Sequence, residues 1–127
     1  VSEKYRILVI DDEDAIRESL RAYLEDYDYE VYAAGSAEEA MQYLQDHSVD
    51  LAVVDMRLPG ESGETFIINA RKKDNKLQFV IHTGSVEFQL NDTLQDSGVN
   101  PEHVYLKPLH DLSVLAIGIG ALLNERK

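Results

Sequence analysis

The chain contains no cysteine and no tryptophan, has three prolines in 127 residues, and carries half as many basic as acidic residues. Without cysteine there is neither a disulfide framework nor a thiolate metal site. No apolar run approaches the ~20 residues of a membrane-spanning helix, and residues 1–6 lack the apolar stretch of a signal peptide. A cytoplasmic protein that does not enter a membrane is expected. The balance of 24 acidic against 12 basic residues gives a net charge of −12. That argues against direct binding to nucleic acid or anionic lipid, each of which needs a basic surface. Hydrophobic residues make up 44% of the chain, enough for a core, and the length suits one domain over residues 1–127.

The rest of the chain is organised around Val53-Val54-Asp55-Met56-Arg57-Leu58-Pro59-Gly60. An apolar run from Leu51 to Val54 ends in a carboxylate, a Pro-Gly turn follows, and a helix-period segment begins near Gly63. This is the pattern of a buried parallel strand leaving its sheet, with Asp55 at the carboxyl end, where open α/β sheets bind ligands. Taken alone, Asp55 reads more readily as a helix N-cap or a strand-end carboxylate facing water. The other strand ends decide.

Arg6 to Ile10 is a β-branched run that ends in Asp11-Asp12-Glu13-Asp14. Ile16, Leu20, Tyr23, Leu24 and Tyr27 then recur at three- and four-residue spacing, one buried helical stripe. Asp14 is the expected N-cap. Glu30 to Ala34 reads as a less apolar strand near an edge, and Ser36-Ala37-Glu38-Glu39 as a capping box that opens a second helix. A helix from Gly63 to Lys72 turns Phe66, Ile67 and Ala70 inward, and Gln78 to His82 forms strand four, ending at Thr83-Gly84-Ser85. Residues 86–100 are poorly patterned, and a short helix near 88–95 is expected there. His103 to Leu106 is strand five, closed by Lys107-Pro108, and the stripe from Leu112 to Leu123 is the last helix, with Gly118 and Gly120 allowing close packing. The βα alternation implies a single parallel α/β sheet with right-handed crossovers.

At the ends of the apolar runs stand Asp11-Asp12, Asp55, Thr83 and Lys107. Three carboxylates at one level of a sheet repel unless a cation neutralises them. Hard oxygen ligands without histidine or cysteine suit Mg²⁺ (or Mn²⁺) together with a phosphate. A lysine and a hydroxyl can meet phosphoryl oxygens. The set points to phosphoryl transfer onto Asp55 as a carboxylate nucleophile.

These motifs resemble the receiver domain of two-component response regulators: Ile7-Leu8-Val9-Ile10-Asp11-Asp12-Glu13, Asp55 to Gly63, Ile81-His82-Thr83-Gly84 and Lys107-Pro108. The resemblance implies a doubly wound, flavodoxin-like (βα)₅ fold of strand order 2-1-3-4-5, an order for which a member of this family is a standard example. It implies that Asp55 accepts phosphate from a histidine kinase or histidine phosphotransfer protein. Asp12 would bind Mg²⁺ directly, Asp11 mainly through water, with Asp55 and the Arg57 backbone carbonyl completing the protein ligands. Lys107 would pair with the phosphoryl group, Thr83 would move towards it, and the Gly84 N–H would donate to it. Arg57 and Ser85 occupy positions that tune loss of phosphate in the family, and a cis Lys107–Pro108 bond is expected.

One departure concerns signalling. The family places a switching aromatic three residues before the lysine, where this chain has Val104. Tyr105 is one residue off, and one residue reverses the facing of a strand side chain. Tyr105 is therefore not assigned the switch role. Of the four histidines, His82 borders the strand ends and is a candidate for a hydrogen bond there, whereas His47, His103 and His110 are scattered.

The expected activity is self-phosphorylation and self-dephosphorylation without turnover of a metabolite. An aspartyl phosphatase of the haloacid-dehalogenase type would need a second carboxylate where Arg57 stands. A flavin or nucleotide module would want a glycine- or hydroxyl-rich first loop, not Asp-Asp-Glu-Asp. A phosphate-independent interaction module is the remaining alternative. The chain is expected to be a stand-alone regulator or a receiver from a longer protein with an output domain or effector, and a homodimer is left open.

Overall fold

Ile7–Ile10, Leu51–Val54 and Phe79–Thr83 are buried residue after residue, as strands covered on both faces must be. The computed structural model describes residues 4–84 and 90–125. In chain order the elements are β1 (Arg6–Ile10), α1 (Asp14–Glu25), β2 (Glu30–Ala34), α2 (Ala37–Asp46), β3 (Leu51–Val54), α3 (Gly63–Lys73), β4 (Gln78–Thr83), α4 (Asp92–Asp96), β5 (Val104–Leu106) and α5 (Ser113–Glu125). The five strands form one parallel sheet in the order β2-β1-β3-β4-β5. Among the described residues, no helix is long and apolar enough to cross a membrane.

Alternation along the strands divides the core in two. Leu8, Ile10, Ala52, Val54, Phe79 and Ile81 meet Ala40, Phe66, Ile67, Ala70 and Leu94 from α2, α3 and α4. Ile7, Val9, Leu51, Val53 and Val80 face the other way, onto Leu20 and Leu24 of α1 and Leu115, Ile119 and Leu123 of α5. The edge position of β2 matches its weaker apolar character, and its residues alternate between exposed and half-buried before Ala34.

Several local expectations are corrected. Asp14 is not the N-cap of α1: the Arg17 N–H bonds the Glu13 carbonyl at 2.9 Å, so Glu13 occupies that place, without a side-chain cap, and Asp14 is the first helical residue. The cap is replaced by a tighter turn just upstream, where the Asp11 carboxylate accepts the Glu13 N–H at 2.9 Å. The stripe of α1 stops short of Tyr27, which is exposed. Ser36 does cap α2, accepting the Glu39 N–H at 3.1 Å, but Glu39 reaches one residue further back than a capping box requires, to the Gly35 N–H at 3.2 Å. The short helix expected near 88–95 lies at Asp92–Asp96, capped by Asn91, and residues 88 and 89 of the expected segment lie outside the described residues. His103 closes a 3₁₀ turn from Pro101 and does not join β5.

The facing of β5 has a particular cause. Val104 packs into the α2/α3/α4 side of the core and Tyr105 into the α1/α5 side. A Cβ on Gly118 of α5 would lie 1.9 Å from the Tyr105 hydroxyl, so the phenol fills the space where any other residue would have a side chain. Gly120 carries no such constraint: its nearest neighbour, the Tyr29 hydroxyl, is 3.9 Å from the same construction. Gly118→Ala gains about 1 kcal/mol of helix propensity and should lose more than that, about 1–3 kcal/mol, by overpacking against Tyr105. A urea midpoint below that of the parent, restored by adding Tyr105→Phe or Tyr105→Leu, is the expected outcome, and a raised midpoint in the single variant would contradict this account.

Candidate functional site

The sheet ladder runs one hydrogen bond past several strands, and this sets the site. Asp11 N–H bonds Ala34 O at 3.1 Å, Asp55 N–H bonds Ile10 O at 3.0 Å, and Lys107 N–H bonds Thr83 O at 2.9 Å. Asp11, Asp55 and Lys107 are thus placed by the backbone register at the carboxyl edge of β1, β3 and β5, as Thr83 is at the end of β4.

The side chains converge there. Oxygens of Asp11, Asp12 and Asp55 lie within 4.8 Å of one another. Asp11 and Asp55 are buried and Asp12 is exposed, which leaves the cluster open on one side. The Lys107 ammonium lies 2.7 Å from Asp11 Oδ2, 3.0 Å from Asp55 Oδ2 and 3.4 Å from Glu13 Oε1. The second oxygen of each buried carboxylate accepts a backbone N–H two residues on: Glu13 for Asp11 at 2.9 Å and Arg57 for Asp55 at 3.1 Å. Arg17 donates to the Asp11 carbonyl at 2.8 Å and pairs with Asp14, which ties α1 to the first strand end. Thr83 is fully buried, while Gly84 and Arg57 are exposed. The Lys107–Pro108 peptide is cis.

Two buried carboxylates share one half-buried ammonium. Burial pushes the Asp11 carboxyl above its ordinary value, with the Lys107 hydrogen bond pulling against it. Burial also weighs against the Lys107 charge, but hydrogen bonds and charge from Asp11 and Asp55 outweigh it and hold the ammonium above the ordinary lysine value. The cluster keeps surplus negative charge. All its donors are hard oxygens, so a small divalent cation such as Mg²⁺ fits it better than a soft or imidazole-seeking metal.

Sequence reasoning missed two residues of this arrangement. Glu13, read as an ordinary acidic residue at a helix start, also supports Lys107. Arg17 lies six positions beyond Asp11 on a helix face, and nothing in the spacing singled it out. Ser85 lies outside the described residues. The hydrogen bond anticipated for His82 is absent: neither ring nitrogen has a partner, although the side chain is buried beside the cluster. Val104 and Tyr105 lie on opposite sides of the core, as described above.

A doubly wound parallel sheet with an acid cluster and a lysine at its carboxyl edge defines a class of phosphate-handling signalling domains, and comparison with known proteins gives the family. The family model described as the response regulator receiver domain matches residues 7–112. The chain belongs to that family: it is a receiver domain of two-component response regulators. It is 34% identical over 111 residues to the virulence transcriptional regulatory protein PhoP of Salmonella typhimurium, covering 87% of this chain and 49% of that protein. The transcriptional regulatory protein PhoP of Escherichia coli K12 is 32% identical over the same length. The chain therefore spans about half the length of these curated relatives. Among solved structures, a CheY-like receiver domain protein from Methanospirillum hungatei aligns with a TM-score of 0.85 at 25% identity, covering 98% of both chains. The response regulator TrrA of Thermotoga maritima, solved in complex with Mg²⁺–BeF, aligns at 0.80 with 27% identity, covering 93% of this chain and 98% of that one.

His82 yields a prediction that does not depend on phosphate. Burial, reinforced by the charge of Lys107, lowers its pKa to about 4. The unfolded chain therefore binds a proton to this ring at a higher pH than the folded one does, so acid favours unfolding. Between about pH 7 and about pH 5 this residue should remove about 2 kcal/mol of stability. Urea unfolding at both pH values should show that loss in the parent and not in His82→Leu, and an equal acid sensitivity in both would refute it.

Proposed function

We propose that this receiver accepts a phosphoryl group on Asp55. The observation that carries the reading is the placement of the Asp55 carboxylate between an ammonium and two further carboxylates at the carboxyl edge of the sheet. A carboxylate oxygen of Asp55 attacks phosphorus, the bond from phosphorus to the donor breaks, and the donor leaves with the bonding electron pair. The product is an acyl phosphate, later cleaved by water to free phosphate and the original carboxylate. A phosphohistidine of a histidine kinase or phosphotransfer protein is the donor class this reading implies.

Asp11, Asp12, Asp55 and the Arg57 carbonyl would hold Mg²⁺, and Mn²⁺ suits the same oxygens. The bound cation supplies positive charge against the oxygens of the transferring group. Lys107 is already charged and in place, and on phosphorylation it exchanges carboxylate partners for a phosphoryl oxygen. The Thr83 hydroxyl and the Gly84 N–H serve the same group from the end of β4. The resulting shift in the Thr83 loop biases a two-state equilibrium that an output domain or effector reads. The domain acts on itself and turns over no metabolite, and a cytoplasmic setting accords with this reading. Arg57, two residues after Asp55, and Ser85, two residues after Thr83 in sequence, tune how water reaches the acyl phosphate.

Intact mass after incubation with acetyl phosphate tests the assignment. A phosphoryl-sized adduct that needs Mg²⁺ and is lost in Asp55→Asn is expected, and robust labelling of that variant elsewhere would overturn it. Lys107→Ala should still accept phosphate while losing the phosphorylation-dependent shifts in backbone NMR spectra. Unchanged shifts would remove Lys107 from the signalling path.

A further inference from the structure

We infer that Glu38, in the first turn of α2, is a positioning residue for the loop between Asp55 and α3, and so for the Arg57 carbonyl. The inference rests on the proposed reading of that carbonyl as a Mg²⁺ ligand. Glu38 Oε2 accepts the Glu61 N–H at 3.0 Å across 23 residues of sequence. Beside it, Gly60 has φ +75°, and a Cβ there would lie 2.7 Å from Glu38 Oε2 and 3.4 Å from both Cδ and Oε1. Two successive loop residues therefore seat on one carboxylate, the first because it has no side chain and the second through its amide.

The anchor itself is fixed. Ser36 caps the helix that carries Glu38, and Glu39 bonds back to the Gly35 amide. At the other end of the loop, Asp55 Oδ1 accepts the Arg57 N–H at 3.1 Å, and Met56 O accepts the Gly63 N–H at 3.4 Å. Glu38 thus holds the middle of a segment whose first residue is the nucleophile. Glu38 does not bond the site residues themselves. Its effect is to pre-order a backbone carbonyl that would otherwise have to be ordered when the cation binds, an outer support of the kind that tunes metal affinity. The hydrogen bond is exposed, so its effect lies in loop geometry more than in global stability.

The test is a Mg²⁺ titration of the unphosphorylated chain, followed through the backbone NMR shifts of Asp55 and Arg57. Glu38→Ala should weaken Mg²⁺ binding about tenfold, and Glu38→Gln, which retains a carbonyl acceptor, should stay within about twofold of the parent. Labelling of the Ala variant by acetyl phosphate should be slow at low Mg²⁺ and recover at saturation, because the anchor acts on the loop and not on the nucleophile. Parent-like Mg²⁺ affinity in Glu38→Ala, or an equal loss in Glu38→Gln, would overturn the positioning role. A parent chain that binds no Mg²⁺ at all would overturn the underlying reading of the cluster, and this outcome is distinct from a failure at Glu38 alone.

Discussion

The contact between Lys107 and the two buried carboxylates, Asp11 and Asp55, is the constraint on which the site depends. Neither carboxylate could be buried as an anion beside the other without a cation, and the ammonium is held within 2.7 Å and 3.0 Å of them. Breaking such an arrangement by removing one partner leaves an uncompensated buried charge, which is costly. The same contact spans the sheet, since its members stand at the ends of β1, β3 and β5. Strand register and the turn after β1 are the local means by which three separate stretches of sequence reach one point.

The surplus of negative charge in that cluster links stability to chemistry. Complete neutralisation of these carboxylates would remove the negative charge that favours a cation beside them. Here one lysine serves two buried acids and a third, exposed acid stands open beside them. Burial raises the titration of Asp11, and the neighbouring Asp55 charge adds a smaller push in the same direction. Burial of His82 in neutral form on the α1/α5 side of β4 fits the same logic, since a second cation there would compete with Lys107.

Most of the fold was legible because the strands of a parallel sheet are apolar throughout and each ends in a chemically conspicuous residue. Asp11, Asp55, Thr83 and Lys107 could be aligned on one edge from that pattern alone. Residues that act through backbone atoms were not legible in this way. Arg17 bonds a carbonyl and Glu38 bonds an amide, and neither partner leaves a mark in the sequence. The start of α1 was misplaced because Asp11 satisfies the turn before the helix, a task usually given to the cap itself. Leu90 and Asn91 were expected inside the helix and lie before α4, because the few apolar residues there follow no single period and only Asn91 signals where the helix begins.

The close fit between Tyr105 and Gly118 has a mechanical consequence. An aromatic side chain occupying the volume of a missing Cβ packs directly on the backbone of the helix behind it. β5 and α5 are thereby pinned to each other like two plates with a dowel between them. Lys107 and Pro108 lie just beyond the pinned strand, and the same edge of the molecule exposes the side chains of Leu106, Val114 and Ile117.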